Sequence, residues 1–123
     1  MNGFTNVTVC GRLGRDPELK YIPNGTAVCT IGLAVTEKWQ GKESTIWVDC
    51  EMWGKQAEFV NEHFGKGGLI AVMGKLKMDE WETKDGQKRR KLLVTARDVT
   101  FAGDSGKTRE SAKAEADFNA DDF

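Results

Sequence analysis

Apolar and polar positions alternate along much of the chain. Over residues 4–13, Val7, Val9 and Leu13 share one parity and are separated by Thr8, Cys10 and Arg12, the period of a strand with one buried face. Asp16-Pro17 interrupts this pattern, and Pro23-Asn24-Gly25 is a turn signal. Alternation resumes over 26–36 with Ile31, Leu33 and Val35, which predicts a second strand. A polar connection containing Gly41-Lys42 leads to a third strand over 44–53, with Ile46, Val48, Cys50 and Met52 on its apolar parity. The period then changes. Ala57, Val60 and Phe64 are spaced i, i+3, i+7 with Glu58, Asn61 and Glu62 between them, which predicts a short amphipathic helix over 54–64, stopped by Gly65 and Gly67-Gly68. A long fourth strand follows over 69–82, with Ile70, Val72, Leu76 and Met78 on one parity. Lys84-Asp85-Gly86-Gln87 is a hairpin turn before a fifth strand over 88–101.

Three strands, a helix and two strands is the element order of an OB-fold: an all-β, five-stranded barrel with one short helix between its third and fourth strands. An SH3-like barrel has no helix at that place, and a parallel α/β sheet needs more helices. From Ala102 onward the periodicity stops. Residues 103–123 are rich in Gly, Ser, Ala, Lys and acids, with too little apolar surface to offset chain entropy. The expected organisation is one folded domain over 1–102 and a disordered acidic tail over 103–123, which fits a chain of 123 residues.

Charge sharpens that division. The whole chain carries 18 basic and 19 acidic residues, a net of -1, which does not suggest a nucleic-acid binder. Residues 1–103, however, hold 15 basic against 13 acidic residues, a net of +2, while 104–123 hold 3 against 6, a net of -3. A mildly basic body with an acidic tail is the pattern of an interaction tail. No apolar run is long enough for a membrane span, and the first residues lack a signal-peptide pattern, so a cytoplasmic protein without membrane contact is expected. Cys10, Cys29 and Cys50 are odd in number and scattered in apolar stretches, and read as reduced core residues. There is no zinc-type ligand spacing and no phosphate-binding, nucleophile-elbow or dinucleotide motif, and His63 reads as a solvent-facing helix residue. No enzyme, catalytic residue, metal or cofactor is therefore expected.

The four tryptophans carry the candidate chemistry. In the third strand, Trp47 and Trp53 lie on the parity of Asp49 and Glu51, away from the apolar set. In the fourth, Trp81 shares its parity with Lys75, Lys77 and Asp79. Trp39 stands beside Lys38 near the end of the second strand, where parity does not fix its direction. Two readings remain open. Tryptophans can pack a second layer or a subunit interface. Alternatively, rings interleaved with cations can stack nucleic-acid bases, at roughly 1–3 kcal/mol each, while Lys and Arg track the phosphates.

The stretches Gly11-Arg12-Leu13-Gly14-Arg15-Asp16-Pro17-Glu18-Leu19, Tyr21-Ile22-Pro23-Asn24-Gly25-Thr26-Ala27-Val28, Trp53-Gly54-Lys55-Gln56-Ala57-Glu58, Lys66-Gly67, Gly74-Lys75-Leu76 and Asp85-Gly86-Gln87 stand out. Together they resemble the bacterial single-stranded DNA-binding proteins. The resemblance covers residues 4–101 and the extreme C-terminus. The stacking magnitude above is general to single-strand binders, this family among them, and does not follow from this sequence. The resemblance implies sequence-tolerant binding of single-stranded DNA during replication, recombination and repair, in the cytoplasm at the nucleoid. It implies stacking on Trp39, Trp47, Trp53 and Trp81 and a homotetramer. The candidate phosphate contacts are Arg12, Arg15, Lys38, Lys55, Lys66, Lys75, Lys77, Lys88 and Arg89, with Arg12 and Arg15 equally compatible with a structural role. It also implies that an acidic tip, Asp117, Phe118, Asp121, Asp122 and Phe123, docks replication and repair proteins. Two departures stand out: Ala120-Asp121-Asp122-Phe123 lacks the usual proline before the last phenylalanine, and Asp79-Glu80 occupy places where basic residues are common. The alternative of different class is an OB-fold assembly or protein-interaction module whose tryptophans form a protein interface.

Overall fold

The computed structural model describes residues 2–107. Its strands are β1 Val7–Leu13, β2 Glu18–Tyr21, β3 Ala27–Trp39, β4 Lys42–Trp53, β5 Leu69–Glu82 and β6 Lys88–Phe101, with α1 Lys55–His63 between β4 and β5. The sheet order is β1-β5-β6-β4-β3-β2, and an additional β1–β3 pairing joins β1 to the far side of the sheet. The first part of β1 pairs antiparallel with β5, and its end crosses to β3 through Arg12 opposite Ala34 and Leu13 opposite Leu33. The ring is completed by a short parallel contact between β4 and β6 at Cys50–Val94 and Glu51–Thr95. This is the closed five-stranded, OB-fold-like barrel expected from the sequence. The strand that periodicity does not reveal is β2, whose four residues alternate too briefly to register. It lies outside the closed ring, paired with the start of β3 across the Pro23-Asn24-Gly25 turn, where Ile22 N–H donates to Thr26 O at 3.0 Å.

The core is built from the predicted inward parities. Leu13, Cys29, Ile31, Leu33, Cys50, Met52, Ile70, Val72 and Val94 are buried, and Ala57, Val60 and Phe64 lay one face of α1 against them. Burial pushes the Cys29 thiol up to about 11, and burial together with the neighbouring Asp49 charge pushes Cys50 up to about 12, so both stay protonated core residues. Cys10 is different. It is exposed on the outward parity of β1 with Thr8 and Arg12, which corrects its assignment to the core: the surrounding apolar composition misleads where the alternation does not. His63 is likewise half-covered rather than solvent-facing, with its ring 4.7 Å from Phe59 and 6.2 Å from Phe101.

Two hairpins run past the barrel as arms. β3 and β4 stay paired as far as Trp39 and Lys42, longer than the polar composition of that stretch suggests. The Gln40-Gly41 turn joins them, with φ of 48° and 76°, the left-handed geometry that matches the twist of a two-residue hairpin. β5 and β6 pair out to Glu82 and Lys88. Because the arms leave the core behind, Ile46, Leu76, Met78 and Leu92 are exposed although they occupy apolar parities. Beyond β6, residues 103–107 run back along the body. Gly65 N–H donates to Ser105 O at 2.9 Å, Leu69 N–H to Asp104 O at 2.7 Å, and Lys107 Nζ to Asn61 O at 2.8 Å. The sequence-based boundary between body and tail falls just before this stretch.

Candidate nucleic-acid interface

All four tryptophans are exposed, Trp39 by 74%, Trp47 by 68%, Trp53 by 40% and Trp81 by 45%, so none is packed into a second layer by the described residues. Strand alternation places Trp47, Asp49, Glu51 and Trp53 on one face of β4. Cross-strand contacts bring the corresponding positions of β5 and β6 onto that face. Lys77 Nζ lies 2.9 Å from Glu51 Oε1, and Lys91 Nζ 2.8 Å from Asp49 Oδ2. Trp81 joins the same surface through Lys91, whose Nζ lies 5.9 Å from the Trp81 ring centre. Trp39 stands apart at the end of the β3–β4 arm, opposite Lys42, on the parity of β3 that faces away from Trp47. Three of the four tryptophans thus share a sheet face, and the fourth marks an arm tip.

Trp47 lies over the backbone at Gly14. A Cβ added to Gly14 would collide with Cζ3 of the indole and lie 2.8 Å from Cη2, so the ring occupies space that only glycine leaves open. Gly14 is itself held by its N–H donating to Gly32 O at 2.9 Å.

Trp53 is fixed through Glu51. One carboxylate oxygen of Glu51 accepts from Trp53 Nε1 at 3.2 Å, Lys77 Nζ at 2.9 Å and Thr95 Oγ1 at 3.1 Å. Lys77 Nζ also stands 5.7 Å from the centre of the Trp53 ring, a cation over an aromatic face. Burial alone would raise the Glu51 carboxyl, but the hydrogen bonds from Lys77, Trp53 and Thr95 and the Lys77 charge outweigh it and hold the group below its ordinary value.

The other candidate cations scatter. Lys75 shares the parity of Lys77 and Trp81 on β5, and Lys88 and Arg89 lie at the tip of the β5–β6 arm, where Arg89 Nη2 donates to Gln87 Oε1 at 3.0 Å. Lys38 is exposed on the other arm, and Lys55 opens α1 two residues after Trp53. Arg15 and Lys66 are exposed in loops, with the Lys66 N–H donating to Asp16 Oδ1 at 2.8 Å. Arg12 Nη1 donates to Gly67 O at 2.9 Å and so ties β1 to the turn after the helix, a structural use of that side chain. Sequence reasoning missed Lys91. Its signal was available as the position two residues beyond Arg89 on the same parity. The acidic tip residues Asp117, Phe118, Asp121, Asp122 and Phe123 lie outside the described residues.

This arrangement of rings and cations on a closed barrel can be set beside known proteins. The model of the single-strand binding protein family matches residues 4–102. The chain belongs to that family. The single-stranded DNA-binding protein 1 of Synechocystis sp. is 38% identical over 111 residues, 89% of each chain. The single-stranded DNA-binding protein 2 of Clostridium acetobutylicum is 42% identical over 94 residues, 74% of this chain and 71% of its own. The single-stranded DNA-binding protein of Neisseria meningitidis serogroup A is 35% identical over 105 residues, 81% of this chain but 60% of its own length.

Proposed function

We propose that this single-strand binding family member holds single-stranded DNA, with little regard to sequence, during replication, recombination and repair. Bases stack on Trp47, Trp53 and Trp81, with Trp39 extending the path along the β3–β4 arm, and exposed Lys and Arg side chains take the phosphates. The observation that carries this reading is the shared sheet face that holds three exposed tryptophans, two of them with a lysine from β5 or β6 over the ring. The role is binding, not catalysis, in the cytoplasm at the nucleoid. The chain assembles as a homotetramer. The strip formed by Leu76, Met78 and Leu92, apolar yet exposed on the side of the β5–β6 arm away from Trp81, supports burial against another copy. The acidic tail, from about residue 103, recruits replication and repair proteins through Asp117, Phe118, Asp121, Asp122 and Phe123.

Titration with oligo(dT), followed by tryptophan fluorescence and native mass spectrometry, tests the reading. Quenching of the indoles and a tetramer carrying DNA are the expected results. Binding without quenching would remove stacking, and no binding would favour a protein interface for the tryptophans. Deletion of residues 117–123 is expected to tighten DNA binding modestly and abolish partner capture.

A further inference from the structure

Two clusters of the same composition stand on the tryptophan face. In each, a β4 carboxylate pins a lysine, Lys77 from β5 across the intervening β6 or Lys91 from the adjacent β6, and that lysine lies over an indole: Glu51–Lys77–Trp53 and Asp49–Lys91–Trp81. Glu51 is the more enclosed carboxylate, its side chain only 15% exposed, and Asp49 follows at 35%. By strand parity the face of β4, β5 and the β6 arm carries Lys75, Lys77, Arg89 and Lys91 against Glu43, Asp49, Glu51 and Asp79. It is close to neutral, and two of its four cations are already committed to carboxylates.

Trp53 and Trp81 stay 40% and 45% exposed beside their lysines. A base that stacks on the exposed part of the ring can leave the lysine and its carboxylate in place. A duplex cannot use that route, because its bases are stacked on one another, and its non-specific affinity comes from phosphates neutralised by free cations. To engage Lys77 or Lys91, a duplex phosphate must break an ion pair and then sit beside the abandoned carboxylate. The clusters therefore penalise a ligand that offers only charge more than one that offers unpaired bases.

We propose that Glu51 and Asp49 are specificity-determining residues, which withhold Lys77 and Lys91 from polyanions that cannot stack and so favour single-stranded over duplex DNA. This deepens the single-strand binding reading and rests on it. Lys77 then serves chiefly as the backing of the Trp53 ring rather than as a phosphate contact.

The test compares the full chain with Glu51→Gln, Asp49→Asn and the double variant, each binding oligo(dT) and a duplex of equal length over a range of salt. The side chains keep their shape and lose their charge. The duplex slope of log affinity against log salt is expected to steepen by about 0.9 for each lysine released, about 1.8 in the double variant. The ratio of oligo(dT) to duplex affinity is expected to fall. Equal gains for both ligands, or an unchanged duplex slope, would overturn the proposal. Asp49→Asn, at the more exposed carboxylate, keeps it testable if Glu51→Gln does not fold. Wild-type protein that fails to bind oligo(dT) with quenching would instead sink the single-strand reading, whatever the variants do with duplex.

Discussion

Gly14→Ala isolates the contribution of the Trp47 ring without touching the ring itself. Gly14 does not occupy the left-handed region, so alanine can adopt its backbone conformation. Apart from the indole, the nearest neighbour of the added Cβ is Gly32 O at 3.7 Å, an ordinary contact. The whole clash falls on Cζ3 and Cη2 of Trp47, at the far end of a side chain that is 68% exposed and free to swing outward. Carbon atoms rest about 3.5–4.0 Å apart, so the ring edge must retreat by about 1 Å. A displacement of that size forfeits roughly a quarter to a half of a dispersion contact. Set against about 1–3 kcal/mol for one stacked base, the loss is on the order of 0.5–1 kcal/mol, roughly a two- to fivefold weaker complex. Stability moves the other way or not at all, because alanine restricts the unfolded chain by about 0.4–1 kcal/mol. Fluorescence titration with oligo(dT) and thermal melting read the two effects separately. In a Trp47→Ala background the same glycine substitution is expected to leave DNA affinity unchanged, since its only clash is gone. Equal weakening in both backgrounds would refute the mechanism, and full affinity in Gly14→Ala would show that the position of Trp47 does not matter to binding.

Three further outcomes follow from the geometry. The Glu51 carboxyl is held below its ordinary 4.5 in the folded chain, so its contribution to stability is complete above that value and lost as pH falls through the folded one. The difference in melting temperature between wild type and Glu51→Gln is therefore expected to shrink on acidification, and a constant difference would argue against it. A thiol reagent applied to the native protein at neutral pH is expected to add one label, at Cys10, and three only after unfolding, because Cys29 and Cys50 are buried with raised pKa values; peptide mass mapping reads the sites. A chain ending at residue 102 is expected to be less stable than one ending at 107 by about 1–3 kcal/mol, the worth of the two backbone hydrogen bonds to Asp104 and Ser105, as measured by urea unfolding.

Much of this was legible from alternation alone. Val7, Val9 and Leu13, then Ile31 and Leu33, then Cys50 and Met52, gave the barrel strands and their inward faces, and the change of period at Ala57 gave the helix. Parity also set Trp47, Trp53 and Trp81 on the polar side. What it did not give was distance from the core. Ile46, Leu76 and Met78 follow the inward pattern yet lie on arms that outrun the barrel, because parity reports a side and not whether anything covers it. Trp39 was unreadable because its direction depends on how far the β3–β4 hairpin stays paired. The Glu51–Lys77 and Asp49–Lys91 pairs join residues 26 and 42 positions apart, and only the barrel's closure makes them neighbours. The run from 103 to 107 has no periodic signal, since it is held by backbone hydrogen bonds rather than by an apolar face.

The same pairs bear on how the chain keeps its tryptophans in water. A ring left 40–45% exposed, as Trp53 and Trp81 are, presents an apolar surface that can associate with other molecules. Here each of these two rings has a lysine ammonium over it, and the indole N–H of Trp53 is held by a carboxylate. The cation interacts favourably with the ring while staying hydrated, and the carboxylate satisfies the polar edge. Among the described residues Trp47 has neither partner and instead rests on Gly14. Replacing Lys77 or Lys91 by methionine would keep much of the side-chain bulk and remove the hydrated cap. Such variants are expected to aggregate at lower protein concentration than wild type, measured by light scattering without DNA, whereas alanine at Lys75, which makes no such ring contact among the described residues, is expected to change little. If all three behave alike, the lysines contribute only net charge and the capping argument fails.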